Sequence, residues 1–296
     1  MSCVVESGPM GSRAKQILAF LAFVILFSSF PYFLIIHTGH FRVGRGLVLG
    51  LLMWCPAWAA LTTRKLFRIG LASLGWSWHP VRYVGWAYVI PILYALPVYA
   101  ATWTFIRGSF DLSLFAGTMG SSRFTGSHPA ATVSLSILLF AMVGTIASLA
   151  YALGEEIGWR GFLLPKLVEQ FGFTKGCMLS GCIWAVWHYP ILLFADYNAG
   201  TNPAYALTCF TVMVIGMAYI MGWLRLKSNS LWPAAMLHAS HNLFVQAIFD
   251  QMTKTAGRVR YITTEFGFGL ALTVAATAFY FWTRRRSVEP LPSVPA

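Results

Sequence analysis

Long runs of apolar residues, separated by short polar segments, dominate the chain. A transmembrane helix needs roughly 20 mostly apolar residues, and about eight runs approach or reach that length. Within a few residues, the predicted spans are 16–36, 46–62, 83–106, 131–153, 177–194, 204–224, 231–249 and 264–283. A membrane β-barrel would instead show short segments of alternating polarity. The pattern therefore predicts an all-α, polytopic membrane helix bundle.

Composition supports an integral, multi-pass membrane protein. The chain is 57% hydrophobic and 10% charged, whereas a soluble domain carries about 25% charged residues. The first run, 16–36, is too long for a signal-peptide core and lacks a small-x-small cleavage site, so we expect it to be retained as a span. The sequence leaves open whether the membrane is a bacterial plasma membrane or a eukaryotic endomembrane.

The net charge of +12 comes from basic residues that cluster at the ends of the apolar runs. With the N terminus placed in the cytoplasm, the loops on that side hold about twice as many Lys and Arg residues as the opposite loops. This bias predicts that both termini are cytoplasmic. No basic patch with interleaved aromatic residues forms a groove, so we expect membrane lipids and no nucleic acid as partners.

Two adjacent carboxylates stand out against this apolar background. Glu155 and Glu156 belong to only nine acidic residues, and they follow an uncharged run from Ala130 to Gly154. Such residues at a membrane segment are interpreted as functional by default. On a helix, Glu156 can pair with Arg160 four residues later, whereas Glu155 is rotated by about 100° and has no cation on its own helix. We predict that Glu156 is structural and Glu155 is free to act as a base. The alternative is a solvated helix end with a surface ion pair.

Polar groups in two later apolar runs add to this chemistry. His188 lies in the uncharged run 176–194, where its alternative role is a histidine satisfied by a backbone carbonyl. His238 and Asn242 are four apart and share a helix face, with His241 at the edge of that face. Their alternative role is an interhelical hydrogen-bond cluster. A carboxylate beside imidazole can activate water, and imidazole with carboxamide can stabilise an oxyanion. Together they predict a hydrolytic site.

The ordered motifs Glu155-Glu156-x-x-x-Arg160, Trp184-x-x-x-His188 and His238-x-x-x-Asn242 resemble those of the CPBP family. This family comprises the type II CAAX prenyl endopeptidases and bacteriocin-processing or immunity proteins, and is also called the Abi family. The resemblance covers roughly residues 130–250 and implies an intramembrane endopeptidase, a hydrolase, with its site in a cavity between helices. The substrate would be a membrane-associated peptide or protein. A prenylated CAAX-type and a bacteriocin-like substrate both remain open.

The resemblance also implies roles for the motif residues. Glu155 would be the general base that activates water, and His188 would be its partner. His238 and Asn242 would stabilise the oxyanion.

Glu156 and Arg160 would, by the same resemblance, form a supporting ion pair. Two positions depart from the family pattern. Trp184 stands where the family usually has Phe, so we expect a change in cavity shape. His241 is an additional histidine, which leaves open which imidazole faces the substrate.

Metal dependence is the contested point, because the family is often labelled metalloprotease. Glu155, His188 and His238 would supply the two-His, one-Glu ligand set of catalytic zinc sites. However, the sequence has no His-Glu-x-x-His motif, and no acidic partner of either histidine is evident from it. We therefore favour hydrolysis without a cofactor and keep zinc as the alternative.

We expect 1–296 to form a single membrane domain, since neither a repeat of solenoid period nor a soluble domain is recognisable in it. We predict variable N-terminal helices in 1–129, the CPBP-like catalytic core in 130–250, a last helix in 251–286 and a disordered tail in 287–296. A transporter is a second function class, because buried carboxylates and histidines also mark ion pathways. A non-catalytic scaffold is a third.

Overall fold

The computed structural model describes residues 10–118 and 129–288, so the predicted tail from 289 onwards lies outside it. The described chain is helical, and the all-α prediction is confirmed. The helices are α1 (Met10–Thr38), α2 (Leu47–Leu66), α3 (Val81–Phe105), α4 (Leu112–Thr118), α5 (Pro129–Glu156), α6 (Leu164–Phe194), α7 (Pro203–Ser228), α8 (Trp232–His241) and α9 (Phe268–Thr283). Two π-helical segments extend α5 and α8: π1 is Ile157–Leu163 and π2 is Asn242–Phe249.

Five described helical stretches are long and apolar enough to cross a membrane: Gly11–Thr38, Leu47–Leu66, Val81–Phe105, Ile137–Phe194 and Pro203–Ser228. A shorter apolar helix, Phe268–Thr283, follows them.

The stretch Ile137–Phe194 contains the predicted span 177–194 and most of the predicted span 131–153. It bends at Gly172, whose φ of 76° and ψ of 170° interrupt the helix. Glycine adopts this conformation readily because it has no Cβ. The predicted span 231–249 is α8 continued by π2. The orientation of the bundle in the membrane stays a prediction.

No loop separates the fourth and fifth predicted spans: residues 154–171 continue the helix, and 154–164 are buried in the interior. Glycines allow this by bringing the helix very close to α2. A Cβ at Gly158 would lie 2.5 Å from the Cβ of Pro56, and one at Gly154 would lie 2.8 Å from the carbonyl oxygen of Met53. Small residues of this kind let membrane helices pack with their backbones near each other. Arg160 is consequently an interior residue and not a loop cation.

The helices around the carboxylate pair form a closed bundle. α2 packs against α1 and α5, α8 packs against α3 and α5, and α7 lies between α6 and α9. The outer surface is apolar, as a lipid-facing surface requires: α5 exposes Met142, Val143 and Ile146. The polar residues of the predicted site therefore lie on the inner faces of helices whose outer faces suit lipid.

Arg225 in α7 fixes the position of π1. Its Nε donates to the carbonyl oxygen of Arg160 at 3.1 Å, and its Nη2 donates to the carbonyl oxygens of Ser73 and Leu74 at 3.2 and 3.4 Å. These carbonyls belong to π1 and to the turn after α2, so one guanidinium joins three parts of the bundle. The segment that follows the carboxylate pair is thereby held in place.

Candidate active site

One cavity collects the reactive side chains that the sequence singles out. Its empty volume is about 570 Å³, including the open mouth. Helices α2, α6 and α7 provide an apolar wall that includes Met53, Met213 and Met217. The polar and aromatic residues predicted for the site line the other side: Glu155, Trp184, His188, His238, His241 and Asn242. Residues far apart in sequence thus share one cavity.

Glu155 sits in this cavity with an exposed fraction of only 2%. The Nε1–H of Trp184 donates to its Oε2 at 2.6 Å, and the Nε1–H of Trp159 donates to the same oxygen at 3.2 Å. The prediction that Glu155 lacks a cation on its own helix is correct. It is nevertheless not free of partners, because Trp159, four residues later, reaches it. A buried carboxylate needs such donors to replace lost hydration.

Glu156 is fully buried and joins two motifs. Its Oε1 accepts from Nη1 of Arg160 at 2.9 Å and lies 2.8 Å from Nδ1 of His238. Both carboxylate and guanidinium are 0% exposed, so the alternative of a surface ion pair is wrong. Glu156 is thus an acidic partner of His238 that was not evident from the sequence. Sequence could not reveal this contact because it bridges residues 82 positions apart.

His188 is held by the backbone of its own helix. Its Nδ1 lies 2.9 Å from the carbonyl oxygen of Trp184. A carbonyl can only accept, so Nδ1 carries a hydrogen, and Nε2 of this cavity-lining residue has no hydrogen-bond partner among the described residues. The backbone-satisfied alternative is therefore correct for one ring nitrogen, while the other is available for chemistry.

Asn242 begins π2 directly after α8. Its Oδ1 accepts from Nε2 of Gln246 at 3.4 Å, which leaves the two hydrogens of Nδ2 available to the cavity. π1 likewise follows directly after Glu155 and Glu156. Such π-helical turns occur frequently at functional sites. Two of the three motif-bearing helices therefore change their winding within their motif: α5 directly after Glu156, and α8 at Asn242.

His241 belongs to a second polar cluster on the same cavity. Its Nδ1 lies 2.7 Å from the hydroxyl of Tyr94, and its Nε2 lies 3.0 Å from Oε1 of Glu265. The hydroxyl of Tyr197 donates to Oε2 of Glu265 at 2.6 Å. Both ring nitrogens of His241 are thus engaged. Of the two imidazoles on α8, His238 is the one whose Nε2 has no hydrogen-bond partner among the described residues.

Glu265 is ionised by its surroundings in spite of its burial. Burial disfavours its charge, yet hydrogen bonds from His241 and Tyr197 hold the pKa of Glu265 below its ordinary value. The residue precedes α9 and was not singled out from the sequence. The available signal was an acidic residue at the edge of an apolar run.

Trp184 contacts several groups of the site at once. Besides its bond to Glu155, its ring lies 4.0 Å from the guanidinium carbon of Arg160 and packs edge-on against His238 at 5.3 Å. From the sequence we expected tryptophan in place of phenylalanine at position 184 to change the shape of the cavity. Its main effect in the structure is the hydrogen bond to Glu155. An indole supplies an N–H donor to the carboxylate, which a phenyl ring cannot do.

The described residues do not form a metal site of the expected kind. Among residues 10–118 and 129–288, no group of three or more His, Cys, Asp or Glu side chains is placed so that it could hold a metal ion. The zinc set Glu155, His188 and His238 shares the cavity without meeting this condition. Hydrolysis without a cofactor stays a prediction, with zinc as its alternative.

Comparisons with known proteins agree with the motif resemblance. Residues 134–244 match the family model described as type II CAAX prenyl endopeptidase Rce1-like, and this range lies within the predicted core 130–250. The chain is also 25% identical over 133 residues to CAAX prenyl protease 2 of Methanococcus maripaludis, which covers 44% of this chain and 46% of that protein. The aligned part thus spans about half the length of the curated relative. All three motifs fall inside the family match.

Proposed function

We propose that this chain, which carries a type II CAAX prenyl endopeptidase Rce1-like segment, is an intramembrane endopeptidase. It would hydrolyse a peptide bond in a membrane-associated substrate. One observation supports this above all others: Glu155, His188, His238 and Asn242 line a single cavity, although three separate helical segments contribute them. The sequence motifs and the curated relative support the same class of reaction.

Glu155 is the proposed general base. A water molecule between its Oε1 and Nε2 of His188 gives one proton to the carboxylate as its oxygen attacks the carbonyl carbon of the scissile bond. The tetrahedral intermediate then collapses and the C–N bond breaks. Glu155 returns the proton to the leaving amine, so the carboxylate is regenerated and one water is consumed for each bond cleaved.

His238 and Asn242 are the proposed oxyanion donors. The Glu156 carboxylate accepts from Nδ1 of His238 and stabilises a ring that also carries a hydrogen on Nε2. Gln246 orients the Asn242 carboxamide so that Nδ2 can donate as well. Fixed donors in a site shielded from water stabilise charge that develops during the reaction.

The substrate is proposed to present an apolar group beside the scissile bond. The cavity wall opposite the histidines is apolar and rich in methionine, including Met53, Met213 and Met217. Methionine side chains are flexible and adapt to irregular apolar groups. A prenylated CAAX-type peptide suits this wall, and so does an apolar bacteriocin-like leader.

Cleavage assays on the purified full chain in nanodiscs test the proposal. Fluorogenic peptides with and without a prenyl group, together with an apolar leader peptide, serve as substrates. Glu155→Ala and His188→Ala should abolish cleavage, while His37→Ala, which changes an exposed histidine on α1, should not. Full activity in both site variants would overturn the proposal.

The same cleavage assay, repeated with a chelator and combined with metal analysis, tests the zinc alternative. Without a metal requirement, the rate is unchanged after chelation and metal analysis finds no stoichiometric zinc. Loss of activity on chelation, with recovery on adding zinc, would instead establish the metal-dependent version with Glu155, His188 and His238 as ligands.

A further inference from the structure

The two carboxylate oxygens of Glu155 have different surroundings. Both indole hydrogen bonds, from Trp184 at 2.6 Å and from Trp159 at 3.2 Å, end on Oε2. Both indoles are buried, with exposed fractions of 3% for Trp184 and 0% for Trp159. The carboxylate is therefore held at one oxygen, and the other oxygen is left to the cavity that Glu155 lines.

The orientation of Trp184 is itself fixed by the rest of the site. The Arg160 guanidinium lies over its ring at 4.0 Å, a distance typical of a cation–π contact. Its carbonyl oxygen accepts from His188 at 2.9 Å. Because the same Arg160 pairs with Glu156, one cation positions both the oxyanion side and the base side of the cavity.

We infer that Trp184, assisted by Trp159, is a positioning residue that holds Oε2 of Glu155 and leaves Oε1 as the atom that takes the proton from water. This inference rests on the proposed peptidase function. Trp184 acts through Glu155 and does not touch the reacting atoms. It makes the departure from phenylalanine at this position a functional feature of this chain.

The physical reason is the need for donors in an apolar interior. A phenyl ring at 184 would fill similar space but leave Oε2 with the longer Trp159 bond alone. A carboxylate held by one long bond samples more orientations, and a displacement of the order of 1 Å at a reacting group can lower the rate severely. Hydrogen bonds to charged groups are also the stronger ones.

Nuclear magnetic resonance of the indole N–H groups tests the contact without any catalytic readout. The full chain is labelled with ¹⁵N-tryptophan, and its indole N–H resonances are recorded. The resonance that disappears in Trp184→Phe is assigned to Trp184, and the one that disappears in Trp159→Phe is assigned to Trp159. Glu155→Gln should shift these two resonances strongly. The indole of Trp282, which donates to Thr174 at 3.1 Å, should stay in place. Unchanged Trp159 and Trp184 resonances would overturn the inference.

Kinetics then separates positioning from packing. Trp184→Phe should lower kcat about 10-fold while KM stays within about twofold, and Trp282→Phe should leave both unchanged. A rise in KM with unchanged kcat would contradict a positioning role.

The two hypotheses fail separately. A wild-type chain that cleaves none of the peptides overturns the proposed function, whatever the spectra show. An active wild type in which Glu155→Gln does not move the two indole resonances overturns only the positioning role.

Discussion

His238 Nδ1 lies 2.8 Å from Glu156 Oε1, and this contact joins the first motif to the third across the bundle. The same oxygen accepts from Arg160 at 2.9 Å. Adjacent glutamates in the chain thus serve different parts of the cavity: Glu155 faces it, while Glu156 lies behind it and orients a histidine. In the proposed function, Glu155 carries the chemistry and Glu156 supports the site.

This separation predicts opposite behaviour of two conservative variants. Glu156→Gln leaves the buried Arg160 without its ion pair, and breaking a buried pair costs about 3–5 kcal/mol of stability. Glu155→Gln removes only the proposed base, so we expect nearly unchanged stability and a loss of about 10²–10⁴-fold in kcat/KM. Thermal unfolding and peptide cleavage on both variants provide the measurement. Equal destabilisation by the two changes would contradict the division.

The two histidines of α8 are expected to differ in the same way. His238→Ala should remove activity, because its Nε2 faces the cavity. His241→Ala should mainly lower stability, since it leaves Glu265 buried without its partner. A double-mutant cycle between His241→Ala and Glu265→Gln should give a coupling of about 0.5–3 kcal/mol. Additive stability changes would show that the contact carries no energy.

The pH dependence of stability can be predicted from Asp250. Burial raises its pKa from 3.8 to about 7, although the hydroxyl of Tyr99 donates to it and Glu265 also contributes to the rise. At pH values between these two pKa values, Asp250 therefore keeps a proton in the folded state that it has lost in the unfolded state. Stability should fall as pH rises from about 4 to about 7.

Asp250→Asn keeps the shape of the side chain and removes its titration. In thermal unfolding at a series of pH values, this part of the pH dependence should disappear. The variant should be the more stable protein above pH 7. A wild type and variant with parallel profiles would argue against a protonated Asp250 in the folded protein.

The contact between π1 and α2 is predicted to be intolerant of a single methyl group. Gly158→Ala would place a Cβ 2.5 Å from the Cβ of Pro56 and 2.7 Å from its carbonyl oxygen, so backbone must move. We expect a loss of about 1–3 kcal/mol from overpacking together with lower activity. Gly85→Ala in α3 is the matched control, because nothing lies within 4 Å of the added Cβ. A Gly158→Ala protein as stable as the control would contradict the close approach.

Sequence reasoning was most successful where one helix decides the geometry. Glu156 and Arg160 are four residues apart, and their pairing follows from helical periodicity. Apolar runs likewise predict the all-α class. The apolar runs also singled out His188, His238 and Asn242, the resemblance to a known family implied their roles, and the cavity contains all three.

Contacts between distant parts of the chain could not be predicted in this way. The bond from Trp184 to Glu155 and the one from His241 to Glu265 depend on how helices pack. The burial of residues 154–164 was also missed, because charged residues after an apolar run normally indicate a solvated helix end or a loop. Here the glycines Gly154 and Gly158 let those charges remain inside the bundle.

π1 and π2 mark the places where the chain length of their helices can change at little structural cost. A π-helical turn accommodates an additional residue compared with an α-helical one. Deleting one residue within 157–163 and returning that segment to α-helical winding would therefore leave α6 close to its present phase. The same deletion in an α-helical segment would rotate everything that follows by about 100°, so a change of chain length is compatible with this cavity at the π-helical turns and disruptive elsewhere in these helices.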